Sequence, residues 1–315
     1  MSSVCRVCQS PDVHPFTRRD AKNGQTMTLI LCQGCSLVQV TQLPAAVELH
    51  HYYSQSYRQD YKQAHTPANK HIVRAAQAAR ERLRWIQPYL AQPAPELVDI
   101  GAGGGEFVYL SRRLGCRSRG LEPHEGYSDF ARTAYDAQVE TGGIENLGPG
   151  CADVITLFHV LEHLRDPWQV VHQLHQALRH GGLLAIEVPN ILQADASPHN
   201  IYFGAHLYYY NALSLDHLLG GHFERLWFND QGNLRVIYRR RDVPMASRAV
   251  PADALSAALQ TFHARGWWTY LTQGRGWRKP WLRIQQRRQE SRFKHLPPKA
   301  ILDAAHALAL ETRPL

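Results

Sequence analysis

The clearest fold signal in the chain is Leu97-Val-Asp-Ile-Gly-Ala-Gly-Gly-Gly-Glu106. An apolar run ends in four glycines within five residues, and a helical pattern begins at Glu106. A strand that turns through glycines into a helix lets a ligand approach the backbone and offers it unpaired amides. The dinucleotide fingerprint G-x-G-x-x-G requires a third glycine at position 106. Because this chain has glutamate there, the loop lacks that fingerprint.

Two acidic residues stand near this loop in the predicted strands. Asp99 ends the strand before the glycines, and Glu122 lies 17 residues after Gly105 in Gly120-Leu-Glu-Pro123. A carboxylate at Asp99 can face an ammonium group, and Glu122 can accept hydrogen bonds from both hydroxyls of a ribose. S-adenosylmethionine presents both groups and has no pyrophosphate. Dinucleotide folds use a similar ribose acid, so Glu122 alone does not discriminate, and solvated strand-end acids are the alternative.

Residues 96–240 alternate short apolar runs with helical patterns, which predicts a doubly wound, mostly parallel α/β sheet. The predicted strands are Leu97–Ile100, Ser118–Leu121, Val154–Phe158, Leu183–Val188, Glu224–Phe228 and Leu234–Tyr238. The predicted helices are Glu106–Leu114, Gly126–Tyr135, Trp168–Arg179 and Ser214–Leu219. The last two strands are close in sequence and suit an antiparallel edge pair.

Four ordered motifs now resemble the class I S-adenosylmethionine-dependent methyltransferases over about residues 95–240. After the glycine loop come Cys151-Ala-Asp-Val-Ile-Thr-Leu-Phe-His-Val-Leu-Glu-His-Leu-Arg-Asp-Pro-Trp168, Leu178-Arg-His-Gly-Gly-Leu-Leu-Ala-Ile-Glu-Val-Pro-Asn190, and Ala205-His-Leu-Tyr-Tyr-Tyr-Asn211. The resemblance implies a Rossmann-like sheet of seven strands with S-adenosylmethionine at the glycine loop. It assigns the cofactor to Asp99, Gly101, Ala102, Gly103, Gly105, Glu122, Pro123, Phe158 and His159.

The same resemblance nominates residues for catalysis after the fourth and fifth strands. His206 is our first choice for a base that takes a proton from the acceptor, and His159 is the second. Ala205 stands where the family often has glutamate, so only the histidine of that pair remains. The further candidates are Glu162, His163 and Tyr208. Capping of a helix start by Glu162-His163, and simple aromatic packing by Tyr208, are the alternatives.

Cys5-x-x-Cys8 and Cys32-x-x-Cys35 predict a zinc ribbon at the N-terminus. Two such pairs place four thiolates around one tetrahedral ion, usually zinc, and leave no open coordination position. Disulfides or free thiols are the alternatives, and a reducing compartment disfavours disulfides. This module before the sheet resembles zinc-containing sugar C-methyltransferases and related natural-product enzymes. That resemblance implies a sugar or natural-product acceptor, although the family's usual C-terminal α/β domain has no counterpart in the last 75 or so residues.

We predict four segments along the chain. A zinc module spans residues 1–45, a tyrosine-rich lid and helix residues 46–94, the methyltransferase domain residues 95–240, and a basic helical extension residues 241–315. Tyr52, Tyr53, Tyr57 and Tyr61 are expected either to cover the cofactor or to dock the ribbon. In the extension, cations alternate with Trp267, Trp268, Trp277 and Trp281, which suits either a helical cap or an anionic ligand.

The net charge of +8 is compatible with an anionic partner. The N-terminus lacks the apolar run of a secretory signal, and no stretch approaches a membrane span, so we expect a cytoplasmic protein that does not enter membranes. The leading hypothesis is methyl transfer to a small molecule, either anionic or carrier-bound. The alternatives are an RNA or protein methyltransferase that uses the ribbon and basic tail, with nucleic acid less favoured, and a non-catalytic zinc-ribbon binding protein.

Overall fold

The computed structural model describes residues 4–51, 66–293 and 295–311, which contain two sheets. The strands are β1 Val13–Arg19, β2 Thr26–Cys32, β3 Val38–Val40, β4 Glu96–Ile100, β5 Arg117–Glu122, β6 Val139–Thr141, β7 Ala152–Phe158, β8 Leu178–Val188, β9 Tyr208–Tyr209, β10 Phe223–Asn229 and β11 Leu234–Arg240. The tyrosines of the predicted lid lie outside the described residues.

Helices separate the strands in the order expected of an α/β fold. They are α1 Ala46–His51, α2 Asn69–Ile86, α3 Glu106–Arg113, α4 Glu125–Tyr135, α5 Pro167–Ala177, α6 Ala212–Leu219, α7 Ala252–Ala264, α8 Trp267–Thr272, α9 Lys279–Phe293 and α10 Pro298–Glu311. The last four confirm that the C-terminal extension is helical. No helix within the described ranges has both the length and the apolar character to cross a bilayer.

The larger sheet has seven strands in the order β10-β11-β8-β7-β4-β5-β6, which confirms the predicted Rossmann-like fold. β4, β5 and β6 run parallel, whereas β10, β11 and β8 pair antiparallel, so the predicted edge pair is also confirmed. Strand β6 was not among the individual predictions. Its three residues contain one buried side chain, Val139, which is too short a signal for a period-2 pattern.

The largest difference from the predicted boundaries lies between α5 and β8. Helix α5 ends at Ala177 rather than Arg179, and β8 begins at Leu178, five residues before its predicted start. Arg179 donates to the Gly150 carbonyl and to Asp153, contacts that are remote in sequence. These tertiary hydrogen bonds keep the first residues of β8 extended, although local propensity predicts that helix α5 continues there.

The chain divides into two compact units, and the first consists of residues 45–156, 177–182 and 281–315. We call it the glycine-loop unit. Its sheet strands β4, β5 and β6 are flanked in sequence by α2, α3 and α4, and α10 packs against α2 and α3. Helix α2 buries the periodic stripe Ile72, Val73, Ala76, Ala79, Leu83 and Ile86. This apolar face fixes the helix to the unit.

The second unit consists of residues 1–44, 157–176 and 183–280, and we call it the cysteine unit. Its four-stranded sheet has the order β1-β2-β3-β9. Leu29, Leu31 and Val38 of this sheet share a buried core with Ile191, Tyr202, Tyr209 and Phe262. The N-terminal ribbon therefore completes its sheet and its core with residues from much later in the chain.

Candidate functional site

The glycine loop of the glycine-loop unit has a backbone conformation that its glycines permit. Gly101, Gly103 and Gly105 have φ values of 71°, 59° and 84°. Side chains other than glycine rarely adopt this left-handed region. The amides of Gly101 and Ala102 both donate to the Leu121 carbonyl, at 2.8 and 3.0 Å. The loop is thereby fixed against the end of β5.

A further glycine, which sequence analysis did not single out, allows this close approach. A Cβ at Gly120 would lie 2.6 Å from the Cβ of Ala102, closer than two non-bonded carbon atoms can approach. Gly120 therefore lets β5 pass directly beneath the loop. The pattern Gly-Leu-Glu at the strand end was the available signal, because glycine inside a strand often marks a close backbone approach.

Glu122 connects the end of β5 to the loop. Its side chain is buried, and its two oxygens accept the Gly103 amide at 2.8 Å and the His124 amide at 3.3 Å. Pro123, another residue assigned to the cofactor, follows Glu122 and is half-buried. A buried carboxylate held by backbone N–H groups is preorganised to accept further hydrogen bonds.

Asp99 lies in β4, two residues before Gly101, and is also buried. Its Oδ1 accepts a hydrogen bond of 2.6 Å from the Thr156 hydroxyl. Burial raises the pKa of Asp99 to about 7, although the Thr156 hydrogen bond opposes the shift. A cationic ligand group beside Asp99 would favour its ionised form.

The four predicted metal-binding cysteines converge in the cysteine unit. The sulfur atoms of Cys5 and Cys35 are 3.7 Å apart, those of Cys8 and Cys32 are 3.4 Å apart, and all four lie within 4.8 Å of one another. Zinc–sulfur bonds of about 2.3 Å in a tetrahedron place sulfur atoms about 3.8 Å apart. No disulfide forms among them, so the arrangement fits a zinc ion.

Both cysteine pairs have the same local turn. The amide of Gln9 donates to the Cys5 carbonyl, and the amide of Ser36 donates to the Cys32 carbonyl, each at 3.0 Å. Gln9 and Ser36 have φ values of 60° and 58°. The Gly34 amide donates to the Cys32 sulfur at 3.2 Å. Two matching turns that aim sulfur atoms at one point are what a closed structural zinc site requires.

The cysteine turns are also attached to the rest of their unit. The Trp168 indole donates to the Val7 carbonyl at 3.1 Å, and the Asn211 amide donates to the Ser36 carbonyl at 2.9 Å. Strand β9 pairs with β3 through Tyr208 and Tyr209. The Tyr208 hydroxyl donates to a backbone carbonyl, that of Arg165, at 2.7 Å. Tyr208, a catalytic candidate, therefore stands within the ribbon sheet.

Glu162 lies in a short 3₁₀ turn after β7, and its carboxylate is surrounded by imidazoles. Its Oε1 is 3.4 Å from His159 Nδ1 and 4.0 Å from His163 Nε2. Burial raises the pKa of Glu162, whereas positive charge on the neighbouring His159 and His163 lowers it. The side chain is 1% exposed. An ionised carboxylate at this depth requires positive charge beside it.

His159 directly follows the buried Phe158 and has a left-handed backbone, with φ of 59°. Its amide donates to the Glu187 carbonyl at 2.8 Å. Its Nε2 lies 3.2 Å from the Asn233 side-chain amide, which also donates to a Glu187 oxygen at 2.9 Å. Non-glycine residues with positive φ cluster at functional sites, because the surrounding structure must hold them there. Asn233 belongs to none of the sequence motifs.

His206 lies beside His163, with ring centroids 4.8 Å apart. Burial lowers the pKa of His206 to about 3, so the imidazole is neutral near pH 7. It also lines a cavity of about 320 Å³ in the cysteine unit, together with Asn190, Gln193, Phe203 and Asn233. Cavities of roughly 300–1,000 Å³ are the usual size for small-molecule sites.

The structure thus brings the predicted residues together in groups. In the glycine-loop unit, Asp99, the glycines and Glu122 lie around one loop. In the cysteine unit, His159, Glu162, His163 and His206 form what we call the imidazole–carboxylate cluster. The four cysteines form a separate group in that unit.

Comparison with known proteins identifies the class of domain. Residues 69–222 match the family model described as a methyltransferase domain. A ubiquinone biosynthesis O-methyltransferase of Cupriavidus pinatubonensis is 30% identical over 120 residues, which are 35% of this chain and 47% of that protein. An uncharacterized methyltransferase of a Mycobacterium species is 28% identical over 192 residues, covering 56% of this chain and 70% of that protein. The chain thus spans about half the length of the first of these relatives.

Solved structures of methyltransferases are similar at low identity. A Burkholderia thailandensis 1,6-didemethyltoxoflavin-N1-methyltransferase, solved with S-adenosylhomocysteine, is 17% identical with a TM-score of 0.47. That alignment covers 73% of this chain and 100% of the other. The match to the methyltransferase-domain model covers residues 69–222, about half of this chain.

Proposed function

We propose that this chain, which contains a methyltransferase domain, transfers a methyl group from S-adenosylmethionine to a small-molecule acceptor. The observation that carries the proposal is the glycine loop with Glu122 at its edge. The loop is held by its own hydrogen bonds, and the buried carboxylate accepts the Gly103 amide at 2.8 Å. A ligand with a ribose and an ammonium group matches what Glu122 and Asp99 offer.

In this proposal each residue around the loop has a separate task. Glu122 accepts hydrogen bonds from the ribose hydroxyls, and Asp99 faces the ammonium group of the cofactor. S-adenosylmethionine supplies the methyl group on a sulfonium, and the chain contributes chiefly alignment, which is worth up to about 7–11 kcal/mol.

The acceptor is proposed to bind in the cavity of the cysteine unit that His206 lines. Its polar lining includes four amide side chains, those of Asn190, Gln193, Asn200 and Asn233. Such groups donate and accept hydrogen bonds, which suits a hydroxyl-rich acceptor such as a sugar or a natural-product intermediate. His206 is the first candidate for the base, since a neutral imidazole can take a proton, and His159 is the second.

The four cysteines are proposed to hold a structural zinc ion. Substituting Cys32 by serine should release the metal and lower the stability of the protein, because zinc binding contributes directly to folding. Metal analysis and thermal unfolding of the same sample measure both effects. Cys116 is a suitable control, since it is a buried cysteine outside the quartet. Unchanged zinc content in the Cys32→Ser protein would contradict the assignment.

The experiment that tests the proposed function is a calorimetric titration with S-adenosylmethionine and S-adenosylhomocysteine. We expect saturable binding of one molecule per chain, lost or strongly weakened in Glu122→Ala. Glu125→Ala is the matched control, because Glu125 is a nearby acid that is exposed at the start of α4. A folded protein that binds neither compound would refute the proposal.

A further inference from the structure

The imidazole–carboxylate cluster contains a buried carboxylate with unmet bonding capacity. Glu162 is 1% exposed, and among the described residues neither of its oxygens has a hydrogen-bond partner. His159 Nδ1 approaches Oε1 to 3.4 Å without meeting hydrogen-bond geometry. A buried, unsatisfied carboxylate costs several kcal/mol, so native proteins normally pair it with a cation, a proton or a metal ion.

The hydrogen bond of His163 fixes the direction of its ring nitrogens. Its Nδ1 donates to the Ala205 carbonyl at 2.9 Å, because a carbonyl can only accept. The neutral ring then carries the lone pair on Nε2, which lies 4.0 Å from Glu162 Oε1. Metal-binding histidines commonly donate their other ring nitrogen to a backbone carbonyl in this way.

His206 supplies a third group at the same point. Its Nδ1 is buried and has no hydrogen-bond partner among the described residues. Glu162, His163 and His206 each offer a ligand atom, and these three atoms lie within 4.8 Å of one another. The backbone already joins the two segments that carry them, because the Leu207 amide donates to the Glu162 carbonyl at 2.9 Å.

We propose that Glu162, His163 and His206 bind a divalent transition-metal ion, separate from the ion of the cysteine quartet. Two imidazoles and one carboxylate suit zinc, iron(II), manganese or cobalt, whereas magnesium and calcium favour all-oxygen sites. Ligand atoms about 2.1 Å from an ion lie about 3.4 Å apart in a tetrahedron. Closing the cluster from its present spacing requires shifts of about an ångström.

Three protein ligands leave at least one coordination position open, unlike the four thiolates of the quartet. His206 also lines the cavity of the cysteine unit. If the proposed function holds, on which this step rests, a hydroxyl of the acceptor can occupy that open position. A metal-bound hydroxyl group loses its proton far more readily than a free one. The hydroxyl would release its proton to water, the resulting alkoxide would attack the methyl group, and His206 would be a ligand of the ion rather than the base.

The test is a cobalt(II) titration of the purified full-length protein that carries zinc in its quartet. We expect one added cobalt per chain with weak visible bands and without the near-ultraviolet charge-transfer band of thiolate ligands. Glu162→Gln and His206→Gln should each weaken this binding by more than about 100-fold, since even outer-shell changes cost 10- to 100-fold. Two variants at separate positions, checked by circular dichroism, separate loss of the site from loss of the fold.

His180→Gln is the control, because it removes an exposed imidazole that lies outside the imidazole–carboxylate cluster. It should keep the added cobalt. The proposal is overturned if the native protein takes up no cobalt beyond its quartet, or if both ligand variants bind it as tightly as the native chain. Titration of the same samples with S-adenosylmethionine separates the two proposals. Cobalt binding without cofactor binding would leave the metal site standing and refute the proposed function.

Discussion

The glycine loop and the imidazole–carboxylate cluster both contain buried carboxylates, but they satisfy them in different ways. In the loop, Glu122 accepts two backbone amides and Asp99 accepts the Thr156 hydroxyl. In the cluster, Glu162 has imidazoles around it and no hydrogen-bond partner among the described residues. The loop is complete as a protein structure, whereas the cluster has a charge that something further must balance.

The hydrogen bonding of the buried carboxylates distinguishes a preformed site from one that needs its ligand. Groups that the fold itself satisfies contribute to stability whether or not a ligand is present. Groups that it leaves unsatisfied lower stability until a ligand binds, and binding then raises it. Removing a carboxylate should therefore have opposite effects on stability in the two regions.

The largest expected effect comes from filling the space beneath the glycine loop. Gly120→Val should lower the free energy of unfolding by about 3 kcal/mol and abolish binding of S-adenosylmethionine, because its side chain would overlap Ala102. Urea unfolding and calorimetry measure the two effects. Gly148→Ala is the control, since nothing lies within 4 Å of its added methyl group. Retained cofactor affinity in Gly120→Val would mean that the loop does not bind the cofactor.

The second prediction removes a carboxylate from the preformed site. Glu122→Ala should lower the free energy of unfolding by about 1–3 kcal/mol, because the Gly103 amide loses its acceptor. It should also weaken cofactor binding roughly 10- to 100-fold, since hydrogen bonds to a charged group are worth about 1.5–3 kcal/mol each. If the variant and the native chain are equally stable in urea, Glu122 does not stabilise the loop, which contradicts the difference drawn between the two regions.

The third prediction concerns pH and Asp99. Burial raises the pKa of Asp99 from 3.8 to about 7, so the folded state retains a proton that the unfolded state releases. Between those values, stability from this group falls as the pH rises. Cofactor affinity should rise from about pH 5 to about pH 7, because an ammonium group favours the ionised carboxylate. Calorimetry in buffers of different ionisation enthalpy should detect proton release on binding, and Asp99→Asn should abolish it.

The smallest expected effect is an increase in the free energy of unfolding rather than a decrease. In protein dialysed without added transition metal, Glu162→Gln should raise the free energy of unfolding by about 1 kcal/mol, because it removes an unsatisfied buried charge. Urea unfolding measures the change beside Glu122→Gln, which should lower it. If both substitutions destabilise the protein to the same degree, Glu162 is satisfied within the fold and the distinction between the two regions disappears.

Much of the fold was predictable because its signals are local. The glycines that follow a buried strand, the acid after β5 and the periodic apolar stripe of α2 each depend on residues close in sequence. The cysteine pairs were equally readable, since a C-x-x-C spacing is itself a turn. The short β6 and the two-residue β9 were not readable, because strands of that length show no period.

The candidate sites also divide into residues that local motifs predicted and residues that only long-range contacts bring together. The residues around the glycine loop were nominated by motif, and the structure shows how Gly120 and Thr156 hold them in place. The roles of His159, Glu162, His163 and His206 as base or ligands remain predictions. Asn233 could not be found from sequence, because it lies 74 residues from the histidine that it contacts.

Neighbouring residues alone predicted most strands and helices of the larger sheet, the glycine turn after β4 and the two C-x-x-C turns. Long-range packing, by contrast, places Tyr208 and Tyr209 in the sheet of the ribbon and His206 beside Glu162 and His163. Burial and long-range packing determine these features, because they set which polar atoms lose water and which partners remain within reach.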